Sequence, residues 1–176
     1  MTHLKMVAGA AIAVLALADT APTSDITVPQ GYRDWPLISV ATVGPPLTDV
    51  RAKLGNPAAM RAVREGTIPF PDGAIIARLA WKQLTSQENN NAFRSGDEGK
   101  LSPAALQKLL DGTFVAGPAT NIQLMVKDSK KYASTGGWGF AQFTNGKPDT
   151  GAVLKTCFPC HAPAQAHDFV FTRYAP

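Results

Sequence analysis

Near its C-terminus the chain reads Cys157-Phe158-Pro159-Cys160-His161, five residues whose types and spacing can do chemistry. Thiols at i and i+3 stand on one side of a helical turn, where both reach the two vinyl groups of one porphyrin. His161, four residues after Cys157, lies on that same side and offers a neutral imidazole nitrogen to the iron. The pattern predicts one covalently attached c-type haem, held by Cys157 and Cys160, with His161 as its metal ligand. Three other chemistries compete for the motif. A redox dithiol needs no following histidine, and the strand-and-helix pattern of a thioredoxin-like domain is missing. A zinc site needs two more ligands, while the chain has two cysteines and three histidines, one of these at position 3. A simple disulfide is the weakest reading, because bridges normally close longer loops.

The start of the chain agrees with that chemistry. Lys5 supplies a positive n-region, Met6 to Leu17 an apolar core and Ala16-Leu17-Ala18 a small-residue cleavage site. Residues 1–18 thus read as a signal peptide, too short for a membrane span. They direct the mature chain to the periplasm, the kind of compartment where c-type haem is attached. Residues 19–30 are polar and proline-bounded, and read as a mobile leader. Residues 31–176 form one ordinary domain. The formal net charge of +4 falls by one, to +3, on loss of Lys5. Two haem propionates would offset much of it, and the basic residues are scattered, so charge gives no sign of a nucleic-acid partner. No membrane partner is expected after signal cleavage.

The elements that must position the motif are coarse but readable. Residues 37–41 form a first strand and 44–46 a turn. Asp49 to Leu54 alternates as a strand, with a helix starting at Thr48 as the alternative. Asn56-Pro57 opens a helix that Gly66 stops. Phe70-Pro71-Asp72-Gly73 turns the chain into an apolar segment from Ala74 to Lys82. Ser102-Pro103 opens another helix ending at Gly112, whose Leu106, Leu109 and Leu110 make a core stripe. Thr120 to Val126 reads as a strand, Asp128 as the cap of a short helix through Ala133, and Trp138 to Phe143 as another strand. Pro159 is harmless only in a first helical turn, which predicts a stub starting at Cys157, capped by Thr156 and ended by Pro163. Asp168 to Tyr174 alternates again, predicting a final strand whose Phe169 and Phe171 face the porphyrin.

Several stretches together resemble the cytochrome P-460 family, which includes the cytochromes c′-beta. They are Gly31-Tyr32-Arg33-Asp34-Trp35, Phe70-Pro71-Asp72-Gly73, Val126-Lys127-Asp128-Ser129, Gly137-Trp138-Gly139-Phe140, the CFPCH motif, and Phe169 to Tyr174. The resemblance implies an α+β fold, a mainly antiparallel β-sheet with a few short helices and one haem attached near the C-terminus. It also implies a homodimer. The family's P-460 enzymes carry a lysine cross-linked to the haem edge and oxidise hydroxylamine. Its c′-beta members lack that bond, cap the open side with phenylalanine and bind nitric oxide.

In this chain the cross-linking lysine aligns with Arg78. A guanidinium stays protonated and cannot act as the amine nucleophile. Arg78 is therefore the candidate distal residue, pairing with a propionate or an anionic ligand, or else forming a structural ion pair. Lys82 shares its strand face, about 13 Å along at the usual rise per residue. For the sixth iron position His167 is too close in sequence to His161 to reach the opposite face. Met60 and Met125 read as core filler, and Phe70, Phe93, Phe114, Phe140 and Phe143 are the possible aromatic caps. The expectation is a cytochrome with an open or weakly occupied iron site, taking nitric oxide or a similar small ligand and exchanging electrons with a redox partner protein. The alternatives are hydroxylamine oxidation, or a six-coordinate electron carrier with a methionine ligand.

Overall fold

The computed structural model describes residues 25–175. The signal-peptide reading of residues 1–18 and the first part of the leader lie outside them. Six strands form one antiparallel sheet in chain order: β1 (Leu37–Val43), β2 (Asp49–Gly55), β3 (Ile75–Leu84), β4 (Val115–Lys127), β5 (Trp138–Thr144) and β6 (Lys147–Pro148). Four short α-helices complete an α+β architecture, as the resemblance implied. They are α1 (Pro57–Glu65), α2 (Gln87–Asp97), α3 (Pro103–Asp111) and α4 (Gly151–His161). Among the described residues no helix is long and apolar enough to cross a membrane.

The locally signalled elements form for the expected reasons. Asn56 Oδ1 accepts from the Ala59 N–H at 2.9 Å, Pro57 stands in the first turn, and Gly66 closes α1 in the left-handed region. Ser102 caps α3 in the same way. Asp49 to Leu54 is a strand, so the helix alternative falls. α2, between β3 and β4, is capped by Ser86 but hidden in sequence by its polar composition. Residues 129–132 are turns leading to a 3-10 helix at Ala133–Thr135 rather than a helix through Ala133.

The two sheet faces follow from the two-residue alternation of side chains. Leu54, Ala77, Leu79, Leu124, Ala141 and Phe143 form one apolar cluster, with Ile26, Val28, Tyr32 and Trp35 packed on it. Residues 26–28 of the leader segment and the Tyr32–Trp35 turn therefore cover that face. On the other face Ile76 joins Ile38, Met60, Phe70, Trp138 and Val170 in a second cluster. Farther along that face the side chains turn polar.

Two turn motifs clamp the end of the sheet. Asp72 accepts from the Ser129 N–H at 2.8 Å and from Ser129 Oγ at 2.7 Å. The Gly73 N–H donates to the Lys127 carbonyl at 2.8 Å. Gly73 has φ of 84°, which its lack of a Cβ permits.

The C-terminal region departs from the sequence reading in two places. The helix carrying the motif begins at Gly151 after Thr150, not at Cys157 after Thr156, and Pro159 lies inside it. Pro159 is third from the helix end, so it removes one hydrogen bond, to the carbonyl of the exposed residue Lys155. Pro163 does not end the helical path either. It sits in the first turn of a 3-10 segment, Ala162–His167. The expected strand from Asp168 to Tyr174 does not form. Asp168 and Phe169 have φ of 52° and 64°, outside the extended region a ladder needs. The tail instead runs beside the start of β1, where the Ala175 N–H donates to the Ile38 carbonyl at 2.9 Å and Ser39 and Thr172 share a hydroxyl hydrogen bond.

Candidate functional site

α4 packs on β5 and delivers the motif to the polar face of the sheet. Cys157 is half-buried and Cys160 exposed, and the two thiols are not bridged. Burial pushes the Cys157 thiol up, with Cys160 adding to the rise and Arg78 opposing it. A raised thiol is the reverse of the low-pKa nucleophile a redox dithiol needs. Among the described residues no three His, Cys, Asp or Glu side chains stand together as a metal cage would require. The zinc reading has no support there.

His161 is held by one strong contact. Its Nδ1 lies 2.7 Å from the carbonyl oxygen of Phe169. A carbonyl only accepts, so Nδ1 carries the proton and Nε2 keeps the lone pair that a metal would take. Burial lowers the imidazole's pKa most, the Phe169 contact raises it and the Arg78 charge lowers it again, so the ring is neutral at pH 7.

Aromatic rings surround this imidazole. Phe140 lies 5.1 Å and Phe171 5.2 Å from it, centroid to centroid. Phe158 packs on Phe169 at 5.5 Å and on Phe140 at 6.4 Å. Phe169 and Phe171 thus both reach the motif, by a left-handed bend rather than by strand alternation. Of the five other phenylalanines considered, Phe140 is the one in ring contact with His161. Phe70 packs on Trp138, Phe143 belongs to the opposite face, and Phe93 and Phe114 are exposed.

Arg78 projects from β3 close enough to Cys157 and His161 for its charge to shift both. One of its terminal nitrogens donates to Asn121 Oδ1 at 2.7 Å, while its buried Nε has no acceptor. Burial, and then the Arg51 charge, push the guanidinium down to about 10, with Asp49 and Cys157 acting the other way. Lys53 stands directly across the β2–β3 ladder from Arg78. Cβ atoms at such positions are about 5 Å apart. Burial lowers the Lys53 pKa, and Arg51 and Arg78 lower it further. Arg51 is paired with Asp49 at 2.7 Å. This cation group continues into a polar row in which Gln123 donates to Gln142, and Gln142 to Asp149 at 2.5 Å. Lys53 was invisible in the sequence, because only strand register makes it a neighbour of Arg78. Lys82 is exposed and pairs across the ladder with Asp49.

Met60 is 3% exposed in the apolar cluster, and Met125 packs against that cluster. His167 is exposed at the end of the 3-10 segment. A cavity of about 530 Å³ is lined by Asp25, Asp72, Lys127 and Tyr132 among others, and by none of the motif residues.

These features fit a haem. The helix presents two thiols and a neutral imidazole in attachment spacing, aromatic rings flank them, and a buried guanidinium nitrogen lacks an acceptor that an anionic group would supply. The family model for cytochrome P460 matches residues 29–172. The chain belongs to the cytochrome P460 family. It is accordingly a haem-binding cytochrome. A search among curated proteins found no match.

Proposed function

We propose that this cytochrome carries a single c-type haem on Cys157, Cys160 and His161 and takes nitric oxide or a similar small ligand at an open iron site. The carrying observation is the geometry at His161: Nδ1 donates to the Phe169 carbonyl at 2.7 Å, which fixes the ring and leaves Nε2 as the nitrogen for a metal. A haem held by Cys157, Cys160 and His161 would supply an iron that changes between ferric and ferrous states and takes a small ligand. His161 would hold the iron through Nε2, and Phe140, Phe158 and Phe169 pack around the motif and shield it from water. Arg78 supplies a desolvated positive charge beside the motif, suited to a propionate or to negative charge developing on a ligand. The core packing of Met60 and Met125 favours an open site over a six-coordinate carrier. Electron exchange with a redox partner protein, export to the periplasm and a homodimer belong to the same reading.

Two measurements test it. Haem should resist extraction by acidified organic solvent, and should become extractable when Cys157 and Cys160 are both replaced by serine. Extractable haem in the wild-type protein overturns the attachment. Carbon monoxide should bind the reduced protein fast. Slow binding that Met60→Ala or Met125→Ala accelerates would move the assignment to a methionine-ligated electron carrier.

One observation favours the hydroxylamine-oxidising reading as the second choice. Lys53 is an amine of depressed pKa facing Arg78 across the ladder, so part of the role lost at position 78 has a neighbouring candidate. Proteolysis and mass spectrometry separate the two. Haem found only on the peptide with Cys157 and Cys160 supports the ligand-binding cytochrome. A peptide containing Lys53 or Lys82 joined to the same haem would restore the oxidase.

A further inference from the structure

The carbonyl that fixes His161 belongs to an unusual piece of backbone. Asp168 and Phe169 are consecutive non-glycine residues with φ of 52° and 64°. Each such residue costs on the order of 1 kcal/mol, and persists only where its surroundings over-determine it. The surroundings do so here. Lys127 Nζ, rising from the end of β4, donates to Asp168 Oδ1 at 2.7 Å and to Oδ2 at 2.8 Å. The two side chains are 5% and 6% exposed. The Phe70 N–H donates to Asp168 Oδ2 at 2.8 Å. Trp138 Nε1 donates to the Asp168 carbonyl at 2.8 Å, and the Phe169 N–H donates to the Ala164 carbonyl at 2.9 Å. Lys127 also donates to the Gly136 carbonyl at 3.1 Å and lies 5.0 Å from the Trp138 ring centre. Gly136 leaves the space that the Phe169 ring fills, since a Cβ there would stand 2.1 Å from the ring.

A buried ion pair is weak grounds for stability, because desolvation offsets most of the attraction. Its more informative property here is its place, with one end in the sheet and the other one residue before the His161 acceptor. We propose that Lys127 and Asp168 are positioning residues for the axial imidazole. Their ion pair locks the bend that aims the Phe169 carbonyl at Nδ1, and thereby sets the orientation and donor strength of Nε2. The inference rests on the haem reading above. Losing the direct partner of a ligating histidine typically costs 10–100-fold in metal affinity or activity, and this ion pair acts on that partner, the Phe169 carbonyl, through the backbone.

The test uses the holoprotein with Asp168→Asn, which keeps the shape and an acceptor for the Phe70 N–H. Lys127→Met combined with Asp168→Asn is the second variant and leaves no unpaired buried charge. Two quantities are read in the ferric cyanide adduct and by redox titration: the solvent exchange rate of the His161 Nδ1 proton, and the ferric–ferrous equilibrium. A looser carbonyl should speed proton exchange by about tenfold, and weaken imidazole donation enough to move the equilibrium about tenfold toward the ferrous form. Lys127→Arg, which keeps a cation opposite Asp168, should remain near wild type. Leu110→Ala, a buried site in α3, supplies a destabilised control in which neither quantity moves. Haem-loaded variants with wild-type exchange and potential overturn the positioning role while leaving the haem reading intact. A wild-type protein that takes up no haem overturns that reading first. Equal shifts in the Leu110→Ala control would reduce the ion pair to a generic stabilising contact and also overturn the proposal.

Discussion

The two faces of this sheet are built from alternate residues of the same strands, yet one is apolar along its length while the other is apolar around Ile76 and turns polar beyond it. Beneath residues 26–35, Leu54, Ala77, Leu79, Leu124, Ala141 and Phe143 make a dry apolar layer. On the other side, the same strands raise Arg51, Lys53, Arg78, Asn121, Gln123 and Gln142 toward the face where α4 packs. The first face gains stability by burial, at about 25 cal/mol per Å² of apolar surface. The second desolvates three cations around one paired carboxylate, which costs stability and pre-forms a site for negative charge. The contrast separates the two apolar clusters that hold the fold from the polar stretch that faces α4.

The largest expected effect breaks the fold and spares the site. Leu124 is 1% exposed on the dry face. Leu124→Ala should lower the unfolding free energy by about 3 kcal/mol in urea denaturation, with the visible spectrum of the folded cytochrome unchanged. A displaced Soret band would show that the faces are not independent.

Gly136→Ala comes next and should disturb both. It puts a Cβ at φ of 67° and into the Phe169 ring, a cost of about 2 kcal/mol, and it should alter the haem spectrum as well as the melting temperature.

Arg78→Gln should have a smaller effect of opposite sign. In the Cys157→Ser/Cys160→Ser background with its haem extracted, it removes a crowded cation and should raise stability by about 0.5 kcal/mol, kept small because the guanidinium is only partly withdrawn from solvent. Lower stability in that background would mean that Arg78 is already neutralised.

The smallest effect lies at the Asp72 clamp, outside both faces. Hydrogen bonds from the Ser129 side chain and backbone hold the Asp72 carboxyl below its ordinary 3.8. A depressed carboxyl contributes stability above the unfolded value and loses it as pH falls through the lower folded value. The melting difference between the protein and Asp72→Asn should therefore be present at pH 7, begin to shrink near pH 4 and vanish in stronger acid. A difference independent of pH would remove the charge from the explanation.

Sequence alone determined the parts of this protein that depend on near neighbours. Attachment spacing places Cys157, Cys160 and His161 on one helical side. Asn56-Pro57 and Ser102-Pro103 cap helices because a side-chain oxygen meets an N–H three residues on. Alternation from Asp49 to Leu54 marked β2, and a short apolar run marked the start of β1. Tertiary structure decided what depends on partners far along the chain. Pro159 is tolerated inside α4 because it stands near the helix end, where the carbonyl it fails to reach belongs to an exposed residue. The alternation of Asp168 to Tyr174 read as a strand, but Lys127, Phe70 and Trp138 hold its first two residues in a bend. Lys53 became the neighbour of Arg78 only through the β2–β3 register, and Lys127 met Asp168 across 41 residues. Register and long-range ion pairs arise from packing the whole sheet, and no short window of residues contains that information.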